Sequence, residues 1–173
     1  MMDYDKIAVF DLDGTLWKEN SHIEILNAYY HTQFFTSIIF RGISHFFRPQ
    51  MYKLICRLYD KIPKDYALSF ELPFNSEILE LLRNMQQDGW FVLIVTNAPY
   101  EIGFHAAERL KIPFLKAPIG HKKDILDKSY RYKSLFVCTD NIDDIDLIEA
   151  SISCKIIINK YNKTFFEERG YYA

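Results

Sequence analysis

The chain has 173 residues and a mass of 20.6 kDa, which is enough for one domain of ordinary size with at most one small inserted subdomain. Its composition, 49% hydrophobic and 25% charged, is that of a chain that folds around a packed core, and it excludes a disordered or collagen-like protein. The 21 basic and 23 acidic residues give a net charge of −2, so the chain as a whole has no basic excess for binding nucleic acid.

The cysteines and the N-terminal sequence bear on the cellular compartment. Cys56, Cys138 and Cys154 are widely spaced within apolar runs, which fits neither a disulfide framework nor a zinc site. The opening sequence MMDYDKIAVFDLDG lacks the basic start and the apolar stretch of a signal peptide, and no uninterrupted apolar run of about 18 residues occurs. We therefore expect a reduced, cytoplasmic protein without a transmembrane helix.

Short apolar runs predict the strands of a sheet. They cover residues 7–13, 90–97, 134–140 and 154–159, and 113–119 is a weaker fifth candidate. These runs are apolar almost continuously instead of alternating, as is typical of parallel strands that are buried on both faces.

Amphipathic segments between these runs predict helices. The clearest is 75–89, in which Ile78, Leu81, Leu82 and Met85 repeat with helical spacing. Further helical patterns cover 100–111, 123–130 and 144–150. Strands that alternate with helices predict an α/β fold, a Rossmann-like three-layer sandwich around a central parallel sheet.

One region interrupts this alternation. Residues 17–72 are helical in character, rich in aromatic side chains and broken at Pro49 and Pro63, which predicts a small helical cap inserted into a core formed by 1–16 and 73–173. Segment 25–64 of this insert carries six basic residues against one acidic residue, a net charge of +5, and leaves −7 for the rest of the chain.

Polar side chains follow several of the predicted strands. Ligands of parallel sheets bind at the carboxyl ends of the strands, so these side chains are candidates for one site. They are Asp11, Asp13, Thr96, Asn97, Asp140, Asp143 and Asp144, with Lys122 and Lys123 at the start of a helix. Carboxylates gathered at one edge repel each other unless a hard cation neutralises them, and oxygen ligands favour Mg²⁺. A carboxylate beside Mg²⁺ is able to attack phosphorus and form an aspartyl-phosphate.

Four stretches together carry a resemblance to a known family. AVFDLDGTLW at 8–17, LIVTNAP at 93–99, GHKKDIL at 120–126 and FVCTDNIDDIDL at 136–147 resemble, in order and spacing, the four motifs of the haloacid dehalogenase-like (HAD) hydrolase superfamily. The DxDGT pattern closing an apolar strand is the most specific of them. The resemblance covers the whole chain, and a helical insert after the first motif resembles the small caps of the phosphoserine phosphatase branch.

The resemblance implies roles for individual residues. Asp11 is expected to be the nucleophile and Asp13 the general acid and base, and this second aspartate indicates phosphoryl transfer because the dehalogenases of the superfamily lack it. Thr96, Asn97 and Lys122 are expected to bind the phosphoryl group, with Lys122 also restraining Asp11.

A metal site is implied in the same way. Mg²⁺ is expected on Asp11, on the backbone carbonyl of Asp13 and on Asp140, with Asp144 bound directly or through water. The chain departs from the common pattern at Thr139, where many relatives have glycine before the aspartate. The adjacent Lys123 stays open as an alternative to Lys122, although the spacing to the following Asp-Ile-Leu favours Lys122.

These expectations define a leading function and its alternatives. The leading prediction is a Mg²⁺-dependent phosphohydrolase that acts on a small phosphomonoester. A phosphotransferase or phosphomutase would use the same aspartyl-phosphate, and a receiver-like binding module that is switched by phosphorylation represents a different class. The insert together with residues 72–90 is also similar to HAD domains associated with polyprenyl transferases, which implies that a lipid-linked substrate is an alternative.

The insert leaves a second question open. Phe35, Ile38, Ile39, Ile43, Phe46 and Phe47 are predicted near one helical face, with Arg41, His45 and Arg48 toward another. Either this face packs on neighbouring helices of the cap, or it is an interfacial surface that contacts an anionic membrane peripherally or accommodates the apolar tail of a lipid phosphate.

Overall fold

The computed structural model describes residues 2–171, and in that range it leaves out the side chains of Arg41, His45 and Arg48. The predicted face of these three side chains therefore lies outside the described residues. A central sheet consists of five parallel strands in the order β3-β2-β1-β4-β5. The strands are β1 Met2–Phe10, β2 Phe91–Thr96, β3 Phe114–Lys116, β4 Tyr130–Thr139 and β5 Ser153–Ile156. The predicted Rossmann-like α/β class is confirmed.

Both faces of the sheet are covered by helices, which explains why the strands are continuously apolar. Alternate residues of β1 point to opposite sides, so Ala8 and Phe10 enter one buried cluster while Ile7 and Val9 enter the other. The first cluster includes buried side chains of the insert, and the second is completed by helices near the C-terminus. Residues 7–10 of β1 are therefore buried whichever face they point to.

The central strands begin earlier than the sequence predicts. β1 begins at Met2 instead of residue 7, and β4 begins at Tyr130 instead of residue 134. The two extensions pair with each other in parallel, Met2 opposite Tyr130. The ring of Tyr4 stacks on Phe91 with 3.8 Å between centroids. The extension of β1 is largely exposed, and the extension of β4 alternates tyrosines with the exposed Arg131 and Lys133, so neither has the apolar run from which the strands were predicted.

The helices lie between the strands and after the last one. They are α1 Ser21–Tyr29, α2 Ile38–Phe46, α3 Arg48–Tyr59, α4 Lys64–Ser69, α5 Ser76–Gln87, α6 Tyr100–Leu110, α7 Lys122–Ser129, α8 Ile145–Ala150 and α9 Lys163–Glu167. Short 3₁₀ turns cover Phe34–Thr36 and Ile142–Asp144. Within residues 2–171, no helix has the length and apolar character needed to cross a membrane.

Helices α1 to α4 form the insert, whose two connections to the core run side by side. Trp17 forms an isolated bridge with Phe74, and the Asn75 amide donates to the Leu16 carbonyl at 2.7 Å. The insert packs on the sheet without a separate core, because its buried Ile25 belongs to the same apolar cluster as the sheet residues. The division at 16/17 and 72/73 is compatible with these connections and remains a prediction.

Candidate active site

The candidate site lies where β1, β2 and β4 end at one edge of the sheet. Asp11 directly follows β1, and its backbone amide donates to the carbonyl of Cys138 at 2.9 Å, which continues the pairing of β1 with β4. One carboxylate oxygen of Asp11 accepts from the Leu12 amide at 2.8 Å. The central position of β1 therefore places this carboxylate next to the ends of both neighbouring strands.

A buried lysine joins Asp11 to the end of β4. The ammonium of Lys122, at the first position of α7, lies 2.7 Å from Asp11 Oδ2 and 2.8 Å from Asp144 Oδ2. Its side chain is only 2% exposed. Burial alone would lower the pKa of Lys122, but the charges of Asp11 and Asp144 outweigh it and raise the pKa. Lys122 is therefore a fixed cation in contact with the predicted nucleophile.

Lys123 points elsewhere although it is adjacent in sequence. It is partly exposed and pairs with Asp127, one turn further along α7. An exposed pair of this kind contributes little to stability and does not reach the carboxylates at the strand ends. Of the two lysines that the sequence left open, the geometry favours Lys122 for the phosphoryl contact.

The departure from the common motif at Thr139 has a structural role. The Thr139 hydroxyl donates to Asp144 Oδ2 at 2.6 Å and accepts from the Asn141 amide at 3.0 Å. The other carboxylate oxygen of Asp144, Oδ1, is buried and has no hydrogen-bond partner among the described residues. Burial raises the pKa of Asp144 to about 6, against the opposing effect of Lys122.

Asp140 packs against the turn that follows the nucleophile. Gly14 has a φ of +72°, and a Cβ added there would lie 2.2 Å from Asp140 Oδ2. Asn162 donates to the Asp140 carbonyl at 2.6 Å, and Asn159 donates to its carboxylate at 3.3 Å. Burial, followed by the charge of Asp11, raises the pKa of Asp140 to about 7. Gly14 therefore leaves the space that Asp140 occupies beside Asp11.

Asp13 is held by the first helix of the insert. Its two carboxylate oxygens accept from the backbone amide and the hydroxyl of Ser21, each at 2.9 Å. These hydrogen bonds favour the ionised form, but burial outweighs them and raises the pKa of Asp13 to about 7. A carboxyl group with a pKa near neutrality can both donate and accept a proton, as the predicted general acid and base must.

The residues at the end of β2 lie toward the insert. The Thr96 hydroxyl is buried and accepts from the Ala98 amide at 3.0 Å. The Asn97 side chain lies within hydrogen-bonding reach of Tyr52 on α3. Both residues thus stand at the same sheet edge as Asp11, and Asn97 lies at the contact between insert and core.

The carboxylates at the strand ends include the side chains predicted to bind Mg²⁺. Within residues 2–171, no three His, Cys, Asp or Glu side chains already surround a common point. The expected ligand set has Asp11 and Asp140 as direct side-chain ligands and Asp144 bound directly or through water, while Asp13 is expected to contribute its backbone carbonyl. The raised carboxyl pKa values and the unpartnered oxygen of Asp144 indicate a deficit of positive charge that Lys122 alone does not remove. The donors therefore fit Mg²⁺.

Sequence reasoning missed two residues beside the site. Ser21 holds Asp13, as described above, and Lys116 ends β3 with its ammonium bound to the carbonyls of Asn97 and Ala98, the latter at 2.7 Å. Lys116 also interacts electrostatically with Asp13. The rule that located the other residues would have found Lys116, because it applies to the end of the weaker fifth strand as well.

Comparison with solved structures identifies the fold. Phosphoserine phosphatase in its apo form superposes with a TM-score of 0.63 at 15% identity, covering 94% of this chain and 98% of that chain. A phospho-aspartyl intermediate analogue of phosphoserine phosphatase gives 0.61 at 13% identity, with coverage of 94% and 98%. A phosphoserine phosphohydrolase-like protein from Francisella tularensis gives 0.59 at 20% identity, with 86% and 84% covered.

These comparisons define the class of fold that the site belongs to. The chain has the fold of these phosphoserine phosphatase structures, which is the fold that the resemblance of the four sequence motifs implies. No family model matches the sequence, and no curated protein matches it either. The similarity to known structures thus lies in the arrangement of the backbone.

Proposed function

We propose that the protein is a Mg²⁺-dependent phosphohydrolase that cleaves a phosphomonoester through an aspartyl-phosphate on Asp11. The observation that carries this proposal is the contact of the Asp11 carboxylate with the buried ammonium of Lys122, at the edge of the sheet where Asp13 stands. A nucleophilic carboxylate, a fixed cation for phosphoryl oxygens and a carboxyl group with a near-neutral pKa are the groups that this reaction needs.

The proposed reaction has two halves. In the first, a carboxylate oxygen of Asp11 bonds to phosphorus while the bond to the ester oxygen breaks, and Asp13 protonates the departing oxygen. In the second, Asp13 takes a proton from water, which attacks phosphorus and releases phosphate and the free Asp11. Lys122, Thr96 and Asn97 are proposed to hold the phosphoryl oxygens as their negative charge develops.

Mg²⁺ has a defined place in this proposal. Asp11, the backbone carbonyl of Asp13 and Asp140 would hold the ion, with Asp144 bound directly or through water. The ion would neutralise negative charge shared between the carboxylates and the phosphoryl group. Asn159 and Asn162 position the Asp140 side of this ligand set through the hydrogen bonds described above.

Trapping the phosphoenzyme tests the roles of the two aspartates. Asp11→Asn is expected to abolish phosphorylation by an aryl phosphate, whereas Asp13→Asn still becomes phosphorylated slowly when the leaving group is good. Asp143→Asn is the matched control, because Asp143 is exposed in the loop that follows β4, at the same edge of the sheet. Mass spectrometry of the acid-quenched protein locates the phosphate. Phosphate on a residue other than Asp11, or full turnover in excess chelator, contradicts the proposal.

Analysis of the reaction products separates hydrolysis from its alternatives. A phosphotransferase or phosphomutase would pass the phosphate from Asp11 to an added alcohol, so product analysis with and without acceptor alcohols distinguishes it from a hydrolase. A receiver-like module would keep the phosphate on Asp11 without catalytic turnover. Asp11 at the end of the first strand, with Asp13 two residues later and held by Ser21, supports an enzyme with an acid near its nucleophile.

A narrower substrate class is a lipid-linked phosphomonoester of small size. The observation that favours it is the number of exposed apolar side chains on the insert, such as Ile38 and Phe47. Initial rates on prenyl monophosphates and on polar metabolite phosphates, both in detergent below its micelle concentration, distinguish the two substrate classes.

A cytoplasmic location is part of the proposal and is supported by the free thiols of Cys56, Cys138 and Cys154.

A further inference from the structure

Among the described side chains of α2, only Phe40 is buried and only Ser44 is half-buried. Phe40 is 3% exposed, and its ring contacts the rings of Phe34 and Phe35 at centroid distances of 5.4 Å and 5.3 Å. Ser44, one turn later, is half-buried and its hydroxyl donates to the Phe40 carbonyl at 2.7 Å. The helix is therefore attached to the insert along the side that carries Phe40 and Ser44.

The opposite side of α2 is apolar and faces solvent. Ile38 is 87% exposed and Ile39 is 70% exposed. At about 100° per residue, Ile38, Ile39, Ile43 and Phe46 fall within one sector of about 140°, and the centre of that sector lies about 130° from Phe40. We call this set the apolar face of α2; its members are Ile38, Ile39, Ile43 and Phe46, and Phe47 directly after the helix is exposed as well. Exposed apolar side chains gathered on one face, unlike single ones, indicate a binding surface.

The charge of the surrounding chain is one-sided. Between Ile25 and Tyr59 the sequence contains no aspartate or glutamate, and its charged residues are Arg41, Arg48, Lys53 and Arg57. Lys53 and Arg57 lie on α3, which follows α2 directly, and both side chains are exposed. A basic segment beside an exposed apolar helix face is the pattern of helices that lie in the interface of an anionic membrane.

We infer that the apolar face of α2 is a docking surface for an anionic lipid bilayer. Ile38, Ile39 and Ile43 would enter the boundary between headgroups and acyl chains, while Lys53 and Arg57 of α3 would remain near the lipid phosphates. The net charge of +5 in segment 25–64, against −7 elsewhere, orients the insert toward such a surface. A second copy of the chain fits less well as the occupant, because it would bring two segments of like charge together.

Co-sedimentation with lipid vesicles tests the inference. The full chain is expected to sediment with vesicles of phosphatidylcholine and phosphatidylglycerol at low salt, and to be released at high salt. Ile39→Asp is expected to weaken this binding by about ten-fold or more, because it replaces an apolar side chain that would be buried in the lipid interface with a charged one. Ile152→Asp is the matched control, since Ile152 is 67% exposed but lies between α8 and β5. It should bind as the unmodified chain does.

A charge variant separates the electrostatic contribution. Lys53→Glu with Arg57→Glu should weaken binding to the anionic vesicles while leaving the apolar face intact. All three variants change exposed side chains, so their thermal unfolding should match the unmodified chain. Phosphatase activity on a soluble aryl phosphate should be unchanged, so a failed docking surface and a failed catalytic proposal give different results.

The remaining outcomes overturn the inference. Failure to sediment at low salt removes the membrane as the occupant. Equal binding to pure phosphatidylcholine vesicles contradicts the electrostatic part, and equal loss in Ile39→Asp and Ile152→Asp contradicts the location of the surface. Self-association in sedimentation velocity that Ile39→Asp abolishes would assign the apolar face of α2 to a dimer interface instead.

Discussion

The buried lysine offers the sharpest test of the site. Lys122→Met keeps most of the volume of the side chain but removes the ammonium that lies 2.7 Å from Asp11 and 2.8 Å from Asp144. Removing one partner of a buried ion pair leaves the other charge uncompensated, which costs about 3–5 kcal/mol of unfolding free energy. Domains have only about 5–15 kcal/mol of stability in total, so the variant should lose a large part of it and still fold.

Its neighbour provides the matched control. Lys123→Met removes a partly exposed charge whose partner Asp127 is also exposed, so the expected cost is about 0–1 kcal/mol. Urea unfolding in the presence of chelator measures both variants on the same scale. A cost for Lys122→Met that equals the cost for Lys123→Met would refute the argument that Lys122 compensates buried charge.

The cost for Lys122→Met should also depend on pH. The carboxyl of Asp144 already has a pKa raised to about 6, and loss of the ammonium would raise that pKa further. At pH 5 the uncompensated carboxylates can take up protons, which removes much of the penalty, whereas at pH 8 they cannot. We therefore expect a larger difference from the unmodified protein at pH 8 than at pH 5. An equal difference at both pH values contradicts the electrostatic explanation.

Three further predictions concern the carboxylates around the lysine. Burial raises the pKa of Asp13 and Asp140 to about 7, so the folded metal-free protein binds more protons than the unfolded chain between about pH 4 and 7. Its Tm should therefore fall as the pH rises through that range, with a loss of up to about 4 kcal/mol of unfolding free energy per carboxyl. Mg²⁺ should raise the Tm most at pH 8. A Tm that rises with pH in the metal-free protein contradicts this prediction. Gly14→Ala should cost more stability in urea unfolding than Gly89→Ala and reduce the response to Mg²⁺, because both glycines have positive φ but only a Cβ at Gly14 meets Asp140; equal costs would exclude the contact. Ser21→Ala removes a hydrogen bond to the Asp13 carboxylate, so the basic limb of the kcat/KM profile should move upward by about one pH unit, and a downward shift would reject Asp13 as the acid.

The sheet and its site were predictable because burial leaves a clear record in the sequence. Apolar residues run without alternation through β1, since Ile7 and Val9 contact one set of helices and Ala8 and Phe10 the other. The polar residue that ends such a run, Asp11, is then located at the sheet edge without further information. The order of the strands is not recorded in this way, because an apolar run does not show which strands pair with each other. The pairing of β1 with both β2 and β4 is what makes Asp11 central.

Features that lie outside the buried core could not be predicted from the same pattern. The extension of β1 from Met2 to Lys6 is largely exposed, so its residues carry no apolar periodicity. Thr139 was noted only as a departure from the family motif, and its hydrogen bond to Asp144 depends on the turn that brings residue 144 back to the end of β4. Contacts of this kind depend on the tertiary structure and not on local sequence.

The insert contributes to the chemistry as well as covering the core. The carboxyl predicted to move protons, Asp13, is bound by Ser21, and Ser21 is the first residue of α1 in the insert. Tyr52 of α3 reaches Asn97 at the end of β2, one of the residues predicted to bind phosphate. Because these contacts join the insert to the predicted acid and to a predicted phosphate ligand, a displacement of α1 would change the protonation of Asp13, and a displacement of α3 would change the position of Asn97. In the proposed function, the contact of the insert with the substrate and the proton transfer by Asp13 would therefore be coupled through α1 and α3, which contact each other.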